Sequence, residues 1–199
     1  MPVQAVRYLS AVLHQKRSLL SALKSSTLAG HPQDGGDSQL SYTCSLAKAS
    51  IGQHLRHSLD HVRKLIDAAT VGPAIVYYDA RSRGTDIEFS VAAADREVDG
   101  LVAALENCKQ DLELKVNFML GGESPTQQDL SLVTSLSREM AFVAHHSIHH
   151  NAMILMIIRN NPAMPELHRK LLESEPSFGF APSTVDYKNR TKDDTMFQP

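Results

Sequence analysis

The chain has 199 residues, 42% apolar and 21% charged, the balance of an ordinary globular domain long enough to bury a core without staples. A net charge of −2 provides no electrostatic footprint for nucleic acid, and no apolar run reaches the roughly 18 uncharged residues that a membrane span needs. Cys44 and Cys108 make neither a disulfide framework nor a zinc motif, so a reducing compartment and a cytoplasmic location are expected.

Val3 to Leu23 reads as the first helix, because Val6, Leu9, Val12/Leu13, Leu19/Leu20 and Leu23 recur at helical spacing. This region holds Arg7, Lys16, Arg17 and Lys24 and no acid before Asp34. Mitochondrial transit peptides share that composition, but an amphipathic first helix with a solvated basic face is the reading adopted. Ser25 to Ser41, rich in Gly, Ser, Pro and Asp, is expected to be a loop.

The second helix opens at Ser50, which stands in S-x-x-Q capping-box spacing with Gln53. Ile51, Leu55, Leu59, Val62 and Ile66 mark its apolar stripe, Gly72-Pro73 ends it, and His54, His57 and His61 share a second face. Ala74 to Gly84 is a connection whose Tyr77, Tyr78, Asp79, Arg81 and Arg83 anchor a loop or line a pocket mouth. The third helix runs from about Ser90 to Asn107.

Leu112 to Met119 alternates as a strand does, Gly121 to Pro125 is a turn, and Leu130 to Val133 pairs back. The long fourth helix, about Ser135 to Asn160, stops at Asn161-Pro162. A short helix, Pro165 to Leu172, and an irregular tail with a polar end complete the chain.

Four of the ten histidines fall within six residues of the fourth helix, as two offset H-x-x-x-H pairs, His145/His149 and His146/His150. Residues four apart stack on one helical face, and two imidazoles so placed can hold one metal ion from one side. Periodicity alone does not choose between the pairs, since each lies on a continuous 3-4-3-4 stripe. Bundles build metal sites from such inward-facing side chains on neighbouring helices, and three protein ligands leave positions open for water or substrate. Neutral imidazoles suit Zn, Ni, Fe and Cu alike. Glu139, seven residues before His146, either orients a ligand imidazole or complements the helix dipole. Met140, Met153 and Met156 read as packing, and Cys44 as an inert thiol.

The segments Ser50 to His57 (SIGQHLRH), Tyr78 to Thr85 (YDARSRGT), Ser137 to His150 (SREMAFVAHHSIHH) and Phe178 to Thr184 (FGFAPST) resemble the DinB/YfiT-like superfamily, in that family's order. The resemblance covers about residues 3 to 187. It implies an all-α fold, a four-helix up-down-down-up bundle over residues 1–187 with a small β-hairpin before the last long helix, followed by a flexible tail over 188–199. It also implies a divalent transition metal (Zn, Ni or Fe) held by His57, His146 and His150. His54 and His149 then fall beside the site as candidate general bases. Family members with known activity are thiol-dependent S-transferases and maleylpyruvate isomerase. The expected function is therefore a metal-dependent enzyme of transferase or hydrolase type, acting on a small-molecule substrate such as a low-molecular-weight thiol, with room for a homodimer. A non-catalytic metal-binding or stress-associated bundle protein is the alternative. Asn151-Ala152-Met153 departs from the Arg-Gly-Gln common at that point of the family.

Overall fold

The computed structural model describes residues 2–26, 34–80, 82–119 and 130–195. The chain is predominantly helical, with two small sheets. Helix α1 spans Pro2–Ser25, a short α2 Asp37–Ser41, α3 Ile51–Thr70, α4 Val91–Leu105 and α5 Leu136–Arg159. Two further helices follow, α6 over Pro165–Ser174 and α7 over Pro182–Thr195. The last replaces the irregular tail expected from sequence, where the mostly polar pattern carries no apolar stripe to signal a helix. An Arg190–Asp186 pair bridges one turn of it.

Strict all-α is too narrow a description. Strands β1 (Thr43–Cys44) and β2 (Ala49–Ser50) form a two-residue antiparallel ribbon that leads into α3. The expected hairpin exists as β4 (Glu113–Phe118) against β5 (Leu130–Ser135), with Val116 opposite Leu132. A third strand, β3 (Ile75–Val76), joins it parallel to β4 from within the segment read as a plain connection. Two residues are too short to show an alternating pattern, which is why β1, β2 and β3 leave no trace in the sequence. The turn expected at Gly121 to Pro125, Arg81, and the Gly30 to Gln33 part of the expected loop lie outside the described residues.

Each of the four long helices packs on two others, α1 on α4 and α5, and α3 on α4 and α5. Side-chain pairings give their directions. Arg17 meets Asp99 and Lys24 meets Asp95, so α1 and α4 are antiparallel. Tyr8 meets His145 and Lys16 meets Asn151, so α1 and α5 run together. His54 meets His150 and His61 meets His146, so α3 opposes α5.

The predicted stripes of α1 and α3 are largely buried, and residues of α4 and α5 join them. Leu9, Leu13, Leu20 and Leu23 of α1, Leu55, Leu59, Val62 and Ile66 of α3, Val98 and Leu101 of α4, and Met140, Val143, Ile154 and Ile157 of α5 share one apolar core. Helix α1 is thus a core element, and its basic residues are not a uniformly solvated face: Arg17 and Lys24 pair with α4, while Lys16 is fully buried. No helix among the described residues is long and apolar enough to cross a membrane. Cys44 and Cys108 are both free and buried.

Candidate metal centre

Helix α3 starts where the sequence places it. The Ser50 hydroxyl accepts from the Gln53 backbone N–H at 3.1 Å, while the Gln53 side chain accepts from the Ser50 N–H at 3.0 Å. Helix α5 is capped by Ser135, whose hydroxyl accepts from the Arg138 N–H. His54, His57 and His61 face His146 and His150 across the α3–α5 contact.

Of the two histidine pairs that periodicity left open, the inward one is His146/His150. His145 and His149 are exposed, and the His145 ring packs edge-on against Tyr8. His57 and His146 are half-buried and His150 is buried. One ring nitrogen from each of these three lies within 4.8 Å of the others, and among the described residues this is the grouping that can hold a metal ion.

The spacing of the nitrogens tests the fit. His146 Nε2 is 3.1 Å from His57 Nε2 and 3.2 Å from His150 Nε2. Nitrogens bound to one ion at 2.0–2.1 Å stand about 3.3 Å apart in a tetrahedral site and about 2.9 Å apart at neighbouring octahedral positions. The observed values fall between.

Hydrogen bonding alone also cannot use both contacts of His146 Nε2 at once. A neutral ring nitrogen is either a donor with one N–H or an acceptor with one in-plane lone pair. His146 Nε2 can therefore bond well to only one of its two Nε2 neighbours. A cation at their common point uses all three lone pairs at once, so the residues present fit a divalent transition ion.

The surroundings of His150 favour its neutral imidazole, the form a metal needs. Burial, followed by the neighbouring rings of His146, His57 and His54 and then by Lys16, pushes His150 down to about 2. Burial also lowers His54, with smaller contributions from His149 and Lys16. His61 Nδ1 donates to the His57 carbonyl oxygen at 3.0 Å, and its ring stacks on Tyr78 at 4.8 Å between centroids.

Tyr78, read from sequence as part of a loop anchor or a pocket mouth, is a buried wedge. Its hydroxyl donates to Glu139 Oε2 at 3.1 Å, and burial with the Glu139 carboxylate holds it protonated above the ordinary phenol range. Glu139, fully buried, also accepts from Thr134 Oγ1 at 2.8 Å and pairs with Arg138. Its two oxygens thus tie β5 and Tyr78 to the start of α5, and neither is shown on a ligand imidazole. Asp79 accepts from the Met119 N–H, a loop anchor, and Arg83 is exposed. An apolar groove of about 440 Å³ by Lys64, Val71, Ile75 and Tyr77 contains none of the clustered histidines.

Sequence reasoning missed one polar group beside the cluster. Lys16 Nζ donates to Ser58 Oγ at 2.7 Å and to Asn151 Oδ1 at 3.0 Å, the residues directly after His57 and His150. Asn151 in turn donates to Gln15 Oε1. One signal was available: Lys16 occupies an apolar position of the Leu9, Val12/Leu13, Leu19/Leu20 spacing. Asn151, part of the segment that departs from the pattern the sequence otherwise resembles, thereby acquires a structural role. Asn151 holds Lys16, and the backbone of Ala152 is approached by Gly179, where an added Cβ would stand 3.0 Å from the Ala152 Cα.

No family model matches the chain, and neither the curated proteins nor the solved structures contain a significant match.

Proposed function

We propose that the protein is a DinB-like metal-binding protein that holds one divalent transition ion through His57, His146 and His150. The observation that carries this reading is the approach of His57 Nε2 and His150 Nε2 to His146 Nε2 at spacings that one ion accommodates, with all three ligand atoms within 4.8 Å of one another. The helix pairings support an up-down-down-up four-helix bundle, with α1 and α5 running one way and α3 and α4 the other.

Three protein ligands leave coordination positions open, the arrangement of a catalytic rather than a structural site. When bound, the ion would lower the pKa of a coordinated water or thiol and so supply a nucleophile at neutral pH. We therefore favour a metal-dependent transferase or hydrolase with a small-molecule substrate, a low-molecular-weight thiol being the first to test. The free, buried cysteines are consistent with a reducing, cytoplasmic setting. A non-catalytic role, with the ion serving only to hold α3 to α5, is the second reading; the engagement of Glu139 by Tyr78, Thr134 and Arg138 favours it, because that carboxylate is committed to other partners.

Elemental analysis of the purified protein, followed by thiol-conjugation assays with the metal-loaded form, tests both. A bound ion with conjugation activity that His146→Ala abolishes supports the enzyme. A bound ion without activity supports the second reading, and protein that takes up no transition metal rejects both.

A further inference from the structure

An imidazole that binds metal through Nε2 keeps its proton on Nδ1, and the partner of that N–H fixes the ring's tautomer and orientation. For His150 the partner is another histidine. Its Nδ1 lies 2.9 Å from Nδ1 of His54, with the two rings 5.2 Å apart between centroids. His54 is on α3 one turn before His57, so the contact spans the same pair of helices that supplies the ligands.

We propose, resting on the reading of His57, His146 and His150 as ligands, that His54 is the positioning residue of the metal centre. It accepts the His150 Nδ1–H and holds that ring with its Nε2 lone pair on the ion. The usual partners for such an N–H are a carboxylate or a backbone carbonyl. The buried carboxylate of α5, Glu139, is occupied by Tyr78, Thr134 and Arg138. His61 spends its Nδ1–H on the carbonyl of His57 in its own helix.

The bond between two Nδ1 atoms has only two polarities. If His54 donated, His150 would hold its proton on Nε2 and could not bind metal there. If His150 donates, neutral His54 carries its proton on Nε2. That nitrogen is buried and has no hydrogen-bond partner among the described residues. His54 then has no bare ring nitrogen left to take a proton, and the general-base role expected of it is withdrawn in favour of positioning. Metal binding and the His54 tautomer become one event: loading the site selects the polarity in which His54 accepts.

Zn²⁺ affinity, measured by competition with a chromogenic chelator on the full chain, separates the possibilities. His54→Phe keeps a ring but removes the acceptor, and should weaken Zn²⁺ binding by about 10- to 100-fold, the range typical of lost outer-shell partners. His54→Asn presents an amide oxygen near the position of Nδ1 and should restore affinity to within a few-fold of wild type. Unchanged affinity in His54→Phe, or equal loss in Phe and Asn variants of unaltered melting temperature, overturns the assignment while leaving the three-histidine site intact. Wild-type protein that binds no Zn²⁺ overturns the metal reading itself. A second readout does not depend on any variant folding: ¹⁵N NMR of the Zn²⁺-loaded wild type should show His54 protonated at Nε2 and bare at Nδ1, and the opposite tautomer refutes the proposal.

Discussion

Replacing Lys16 with methionine probes the buried polar contact behind the cluster. The Lys16 side chain is fully buried, and the partners of its ammonium, Ser58 Oγ and Asn151 Oδ1, are both neutral. Burial lowers its pKa from the ordinary 10.5 to about 7. In the unfolded chain the ordinary value returns, so between these two limits the unfolded state binds more protons than the folded one. Stability contributed by this group therefore rises as pH rises from 7 to 10.5, and falls as pH is lowered through the same window. Below pH 7 both states are protonated and the penalty is constant. At about 1.4 kcal/mol per pKa unit, the change between pH 7 and pH 10 is roughly 3–4 kcal/mol. Lys16→Met keeps the length of the side chain and removes the ionisable group. It gives up two hydrogen bonds, each contributing about 1 kcal/mol net, but escapes the desolvation of an ammonium. Urea denaturation of wild type and variant, both metal-free in chelator, should show the wild-type-minus-variant difference growing by roughly 3–4 kcal/mol from pH 7 to pH 10. Subtracting the variant removes the titration of every other lysine and tyrosine. A difference that stays flat would refute the claim that Lys16 is buried with only neutral partners among the described residues.

Other consequences are as direct. Tyr78→Phe deletes the hydroxyl donor to buried Glu139 and should lower stability by about 1–3 kcal/mol, read as a shift of the urea midpoint at constant m-value; no shift would mean the bond is not formed. Gly52→Ala would normally strengthen a helix, but a Cβ there would lie 2.1 Å from the Glu88 carbonyl oxygen, so a net loss of about 1–2 kcal/mol is expected and stabilisation would contradict the packing. Zn²⁺ at about 100 times its dissociation constant should stabilise the native state by about 2.7 kcal/mol, visible as a raised melting temperature that His150→Ala loses; an equal rise in that variant would place the ion elsewhere.

The long helices were legible because their signals are redundant. Leu55, Leu59, Val62 and Ile66 repeat a helical stripe, Ser50 and Gln53 mark its start, and Gly72-Pro73 marks its end, all in agreement with α3. The His57, His146 and His150 grouping was legible from spacing joined to a family resemblance, whereas spacing alone left His145/His149 equally open. That choice depends on how α5 is rotated against α3 and α1, a tertiary fact that the two neighbouring stripes of α5 do not encode. Lys16 was hidden for a related reason. On composition it counts as one more basic residue of a basic helix, and only its place on the α1 stripe betrays burial. For Tyr78 the sequence left a loop anchor and a pocket mouth both open, because a residue in a connection carries no periodicity to show burial, while the fold turns it inward against His61, Phe142 and Glu139.

The measurement that bears most directly on the central claim is a titration of metal-free protein with Co²⁺, followed by visible absorption. A single three-histidine centre requires saturation at one ion per chain. It also requires that each of His57→Ala, His146→Ala and His150→Ala weaken binding by more than about 100-fold, the upper end for a merely outer-shell residue. Absence of a Co²⁺ spectrum in the wild type, or a spectrum and affinity that survive all three substitutions, would contradict it.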